Sequence, residues 1–202
     1  MRIGIDFDNT IVSYDALFHR VALERGVVPP DTAATKLAVR DYLRRMDKEA
    51  IWTEMQGYIY GARLDEASIY PGVVEFIRGA DEAGHRVAIV SHKTKFPFLG
   101  PQYDLHAAAR SWVERHLRVA GKPLIPPARV FFELTREEKL ARIGALGCDV
   151  FIDDLPEIFL ADTFPRGTRR ILFDPEGHYG ETATDHAMVC ASWAHIKAAL
   201  NS

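Results

Sequence analysis

A doubly wound α/β fold is what the sequence predicts, and three observations carry that reading. Short apolar runs rich in β-branched residues, such as Arg2 to Ile5 and Arg86 to Val90, alternate with stretches of helical periodicity. Several of these runs stop abruptly at a polar or acidic residue: Asp6, Ser91 and Asp153. Open α/β sheets carry their sites just outside the carboxyl ends of the strands, so acids placed there are informative. Between the first and second runs, residues 14–70 show helical spacing only. The expected architecture is therefore a mostly parallel, Rossmann-like core of residues 1–13 and 71–202, with residues 14–70 inserted as a small helical cap.

Each element rests on local pattern. Arg2 to Ile5 reads as a buried strand. After Ile11-Val12 the period changes, and Ala16, Leu17, Val21 and Leu23 fit a helix ending near Gly26. Pro29-Pro30 breaks the chain, with Asp31 or Thr32 available to cap the next helix. Leu37, Tyr42, Leu43 and Met46 predict that second helix. Ile51, Met55 and Ile59, four apart, predict a third whose stripe includes Trp52. Tyr70-Pro71-Gly72 restarts the alternation, with a helix over 72–83 closed by Gly84. A strand at 86–90 is followed by a polar and aromatic loop over 92–104 and a helix over 105–119. Three prolines, Pro123, Pro126 and Pro127, precede a strand at Arg129 to Phe132. Thr135 with Glu138 is a capping-box pair opening a helix that stops at Gly147. Strands at 149–152, 170–173 and 187–190 and a terminal helix capped by Ser192 complete the pattern.

Composition narrows the possibilities. With 48% hydrophobic and 26% charged residues, the chain has ample material for a core. A net charge of −3 gives no footing for a nucleic-acid polymer, and Arg44-Arg45 and Arg169-Arg170 read as solvated surface. Cys148 and Cys190 are far apart and lie in apolar stretches, as buried thiols do, and no Cys/His ligand spacing occurs. No apolar run approaches the length of a membrane span. A strand that starts at residue 2 leaves no room for a signal peptide, so the cytoplasm is the expected compartment. A monomer or small homo-oligomer is expected.

Asp6-Phe7-Asp8-Asn9-Thr10 is the most informative segment. Two acids at i and i+2 on an extended segment point the same way. Such like charges repel unless a cation or a shared proton relieves them, so the pair asks for Mg²⁺ or for acid–base work. Surface or turn acids would give the same spacing. The segment matches, position for position, the first motif Asp-x-Asp-x-Thr/Val of the haloacid dehalogenase-like (HAD) superfamily, and the sequence resembles that family. Ser91, after Ala88-Ile89-Val90, matches the family's second motif, although a cap or turn serine would look the same. Lys139 in Glu137-Glu138-Lys139-Leu140 matches the third. A lysine in a helix's first turn opposes the macrodipole, and Glu137 and Glu138 offer one compensation, a carboxylate of the site another. Lys93 is the alternative for this role. Asp153-Asp154 after Val150-Phe151-Ile152 matches the fourth, and adjacent acids at a buried strand end are costly unless they hold a cation. The resemblance covers 1–13 and 71–160 well and the insertion hardly at all.

The resemblance implies a Mg²⁺-dependent phosphomonoesterase acting on a small phosphorylated metabolite. Asp6 would attack phosphorus, Asp8 would act as acid and base, and Ser91 and Lys139 would neutralise the transferring group. The metal would be held by the Asp6 carboxylate, the Asp8 main-chain carbonyl and Asp154, with Asp153 behind it. Asn9, Thr10, His92 and Lys93 are the candidate substrate contacts, His92 being as readily a structural loop residue. The loop from Lys93 to Tyr103, with two lysines and three aromatics, would suit an anionic substrate with a flat body, or simply pack on itself. Ile-Asp-Asp and the small helical cap are similar to 5′-nucleotidases of the superfamily; sugar phosphates stay equally open. Dehalogenases of the family lack the second acid of motif one, and a non-catalytic binding module would be expected to lose an acid. Here all are present.

Overall fold

The computed structural model describes residues 1–179 and 186–201. The chain divides into two compact units: 1–11, 69–93 and 116–202 form the first, 12–68 and 94–115 the second.

In chain order the strands are β1 (Arg2–Ile5), β2 (Val12–Ser13), β3 (Ser68–Ile69), β4 (Arg86–His92), β5 (Arg118–Val119), β6 (Lys122–Pro123), β7 (Val130–Glu133), β8 (Val150–Asp153), β9 (Arg169–Phe173) and β10 (Met188–Cys190). The helices are α1 (Asp15–Glu24), α2 (Lys36–Arg45), α3 (Glu49–Gly61), α4 (Val73–Glu82), α5 (Leu105–His116), α6 (Arg136–Leu146), α7 (Pro156–Phe159) and α8 (Trp193–Asn201).

The first unit holds a six-stranded sheet in the order β10-β9-β8-β1-β4-β7, every pairing parallel. The chain runs outward from β1 through β4 to β7, then returns to the other side of β1 and runs outward again through β8, β9 and β10. The reversal puts a topological switch point between β1 and β8, where α/β sheets open a crevice. The central strands bury nearly every residue, as strands covered on both faces must. α8 is fixed by Trp193, whose ring packs on Phe76 and Phe173 and whose Nε1–H donates to the Thr10 carbonyl at 3.2 Å. That bond reaches the loop after β1, so the core supports the site directly.

The second unit is helical. Phe18 of α1 stacks obliquely on Trp52 of α3 at 4.9 Å, with Val39 and Leu43 of α2 buried among them. Residues 94–115 belong here, although their sequence position assigns them to the core. The reason is steric: Gly57 and Gly61, one turn apart on α3, admit Pro97 and Tyr103, which a Cβ at either glycine would strike. α5 then adds Trp112, whose Nε1–H donates to the Ala67 carbonyl at 3.3 Å. The loop is only partly self-packed, because Phe98 is 82% exposed and Phe96 44%.

Other boundaries shift for local reasons. Thr35, not Asp31 or Thr32, caps α2, accepting from the Ala38 N–H at 3.1 Å. Gly72, at φ 91°, is the residue before α4, so Pro71 lies outside the first turn. α5 ends at His116, because the chain folds back there through the β5–β6 hairpin. The strand at 86–90 continues through Ser91 and His92, which pair with Phe132 and Glu133 of β7. The next two strands run one residue later than their pattern suggests, because Arg129 closes a 3₁₀ turn and Asp153 still pairs with Leu172.

Candidate active site

Strand β1 brings the first acid to the crevice. Ile3 and Ile5 are buried, and Asp6 continues the strand by donating its N–H to the Ile152 carbonyl of β8 at 2.9 Å. The chain then turns sharply. Phe7 enters the core and meets Phe132 edge-on at 5.3 Å, while the Ile11 N–H closes the turn onto the Phe7 carbonyl at 3.1 Å. Asn9 takes the left-handed conformation at φ 56°, which Asn tolerates better than most side chains. The turn therefore leaves Asp6 and Asp8 on either side of a buried aromatic anchor.

Lys139 is the electrostatic centre of the site. It is fully buried on α6, and its Nζ donates to Asp6 Oδ1 and to Asp153 Oδ2, each at 2.6 Å. An ammonium so placed is untenable without anionic partners. Burial alone pushes its pKa down, but Asp153 and Asp6 together outweigh that and hold it above the ordinary lysine range. Glu138 does not compensate it. That carboxylate is spent on the capping box, accepting from the Leu134 and Thr135 N–H groups while Thr135 Oγ1 accepts from Glu138 N.

Burial pushes Asp153 up to about 7, against the pull of Lys139. Its second oxygen accepts the Leu155 N–H at 3.1 Å, so both Asp153 oxygens are engaged by the protein. Asp154 is less buried, and Thr10 Oγ1 donates to it at 3.4 Å. Oxygens of Asp6, Asp153 and Asp154 lie within 4.8 Å of one another. Such an all-oxygen donor set suits a hard divalent cation. The carboxyl groups of Asp6, Asp8, Asp153 and Asp154 outnumber the ammonium groups of Lys93 and Lys139, and such an ion would add positive charge among them. The residues present thus fit Mg²⁺.

Ser91 is buried on β4, beside β1, and so stands at the same sheet edge as Asp6. His92 is next, half-buried; burial first and the Lys139 charge second hold its imidazole below the ordinary range, against Asp6 and Asp8. Lys93 is placed differently from its expected role as a substrate contact: its Nζ donates to Asp8 Oδ2 at 2.6 Å. Thr10, also expected at the substrate, is fully buried and ties Asp154 to α8.

Asp174 is a residue that the sequence reading passes over. It ends β9, is buried, and accepts the N–H groups of His178 and Tyr179 at 2.9 and 3.0 Å. The signal is there, since Ile171-Leu172-Phe173-Asp174 repeats the pattern of an apolar strand stopped by an acid. Burial, and then Asp154 and Glu157, push the Tyr179 phenol up to about 12, so it stands neutral beside these acids.

The switch-point sheet with its strand-end carboxylates is the place and the chemistry of a candidate active site in an α/β fold. The family profile described as haloacid dehalogenase-like hydrolase matches residues 3–98. A protein of Oceanobacillus iheyensis that carries a provisional nucleotidase name is 21% identical over 185 residues, 88% of each chain. Among solved structures, a HAD family hydrolase of Deinococcus radiodurans with bound phosphate and sodium superposes with a TM-score of 0.57 at 19% identity, covering 98% of this chain and 94% of its own. A HAD-type hydrolase of Bacillus subtilis bound to magnesium gives 0.57 at 15% identity, covering 100% and 98%. Residues 3–98 thus match the haloacid dehalogenase-like hydrolase profile, and the chain shares the fold of these two solved hydrolases.

Proposed function

We propose that the chain is a Mg²⁺-dependent phosphomonoesterase that turns over small phosphorylated metabolites through an aspartyl-phosphate. One observation carries this reading: Lys139 neutralises Asp6 and Asp153 from behind, while Asp154 completes a carboxylate cluster at the switch point.

Asp6 is the nucleophile, a known role for carboxylates. The 2.6 Å bond from Lys139 fixes one of its oxygens, which aims the carboxylate without consuming both oxygens. Asp8 passes a proton to the leaving oxygen, then takes one from the water that hydrolyses the acyl phosphate. The Ser91 hydroxyl donates to a phosphoryl oxygen. Charge stabilisation of this kind supplies most of the catalysis in phosphoryl transfer. Asp6, the Asp8 carbonyl and Asp154 would hold Mg²⁺, which when bound offsets negative charge on the phosphoryl oxygens. Asp153, with both oxygens already engaged, steadies Lys139 instead. The cytoplasm is the proposed compartment.

Hydrolysis of p-nitrophenyl phosphate with and without Mg²⁺ tests the activity; a pure protein inactive under both conditions would overturn it. A screen of phosphorylated metabolites would then name the substrate. The nucleotidase name of the Oceanobacillus relative favours nucleoside monophosphates as its first members.

The metal assignment makes its own prediction. Asp8→Asn keeps the main-chain carbonyl and loses the acid–base group, so kcat should fall while the Mg²⁺ concentration for half-maximal activity stays put. Asp154→Asn should raise that concentration about tenfold or more, the loss of one charge-assisted contact being worth roughly 1.5–3 kcal/mol. Equal shifts in both variants would mean that the two roles are misassigned.

A further inference from the structure

Lys93 has a place in the site that a substrate contact does not need. Only 6% of the residue is exposed, and its Nζ lies 2.6 Å from Asp8 Oδ2. Its own N–H donates to the Glu133 carbonyl of β7 at 2.7 Å. Glu133 is held in turn by Arg142 of α6 at 2.7 Å. The ammonium also rests 5.9 Å from the centre of the Phe7 ring, the aromatic anchor of the turn that carries Asp8. Lysine is a flexible side chain with much rotamer entropy to lose. Here backbone, ring and carboxylate all define where it ends. Lys139 pairs with Asp6 and Asp153, and Lys93 pairs with Asp8.

We propose that Lys93 is a positioning residue for Asp8, fixing the carboxylate that moves the proton, and not an anion-binding group for the substrate. The inference rests on the phosphomonoesterase reading above. Asp8 stands on a turn, with 23% of its side chain exposed, where a carboxylate can take more than one rotamer. A bond to Oδ2 from a fixed ammonium selects one of them. Proton transfer requires hydrogen-bond geometry at the leaving oxygen, and a misplacement of about 1 Å costs on the order of 10²-fold. With a monoester monoanion the balance closes within the site. The phosphoryl hydroxyl gives its proton to Asp8 and Asp8 gives it to the leaving oxygen. As it does so the ester P–O bond breaks, the bond from Asp6 to phosphorus forms and the alcohol departs neutral. In the second half, the attacking water gives Asp8 a proton as its oxygen bonds phosphorus and Asp6 leaves as a carboxylate. Asp8 then passes that proton to the phosphate, which departs as dihydrogen phosphate and leaves Asp8 a carboxylate again.

Leaving-group dependence tests the proposal. Wild type, Lys93→Met, Lys93→Arg, Asp8→Asn and the Asp8→Asn/Lys93→Met double variant are assayed on p-nitrophenyl phosphate and on an alkyl phosphate whose poor leaving group needs the proton. Lys93→Met should lower kcat on the alkyl ester about 10²-fold, with a smaller loss on p-nitrophenyl phosphate and KM unchanged within about twofold. Lys93→Arg should recover much of the loss. In the Asp8→Asn background, Lys93→Met should add almost nothing, as expected of residues acting as one unit. Lys93→Gln replaces Lys93→Met where the methionine variant does not fold. A rise in KM with kcat unchanged, equal losses on both esters, or full additivity with Asp8→Asn would each overturn the proposal while leaving the phosphatase standing. A wild type inactive on both esters would overturn the function itself, and this inference with it.

Discussion

Asp6→Asn is expected to abolish turnover and leave the fold intact. Asp6 sits at the carboxyl end of β1, 4% exposed, with its carboxylate oriented by Lys139 Nζ at 2.6 Å. An amide is isosteric and its oxygen can still accept that bond, so packing and most of the local hydrogen bonding survive. It cannot form the acyl phosphate. Loss of covalent catalysis should cost kcat a factor of about 10⁴ or more, roughly 5 kcal/mol at about 1.4 kcal/mol per decade. The measurements are steady-state hydrolysis of p-nitrophenyl phosphate and a thermal melt on the same preparation. A variant that melts like wild type and keeps more than about 1% of its activity would remove Asp6 from the nucleophile's role.

How much of the molecule is legible in the sequence varies with the physics of each residue. The order of strands and helices is, because apolar runs stopped by acids and closed by glycine or proline are local signals. The four acids and Lys139 are legible for the same reason, each lying at the end of a strand or the start of a helix. Partner choice is not. Nothing in Ser91-His92-Lys93 says that the lysine turns back to Asp8, since the pairing depends on where β4, β7 and the turn after β1 meet in space. Thr10 reads as a substrate contact because it belongs to the motif; its burial comes from α8, nearly two hundred residues along the chain. Residues 94–115 cannot be assigned to the helical unit from their own pattern. Their attachment depends on two glycines of α3, which look unremarkable until the loop packs against them. Asp174 is legible by the same rule, since Ile171-Leu172-Phe173-Asp174 is one more apolar strand stopped by an acid.

Lys139→Met should produce the largest loss of stability of any single change in the site. Methionine fills nearly the same volume, so packing is kept and the charge alone is removed. Asp6 and Asp153 would then share a buried pocket with no cation between them, where Lys139 and Asp153 are fully buried and Asp6 nearly so. Breaking a buried ion pair by removing one partner costs roughly 3–5 kcal/mol. For a chain of 202 residues that is a drop in Tm on the order of 10 °C, at about 2–4 °C per kcal/mol. The deficit should depend on pH in a set direction. Burial already holds Asp153 at about 7 with Lys139 present, and without the ammonium its pKa rises further. The unfolded chain has an ordinary aspartate near 3.9. Between these values the folded variant binds more protons than the unfolded one, so its stability falls as pH rises. Wild type, with Asp153 at about 7, falls alongside it up to that value, so the melting deficit of Lys139→Met should change little between pH 4 and 6 and grow from pH 7 upward. Mg²⁺, held by Asp6 and Asp154 beside Asp153, should recover part of it at the higher pH. Melting curves of wild type and variant across that range, with and without Mg²⁺, decide the matter. A deficit that is absent, or that does not change with pH, would mean that Lys139 is not what neutralises Asp6 and Asp153.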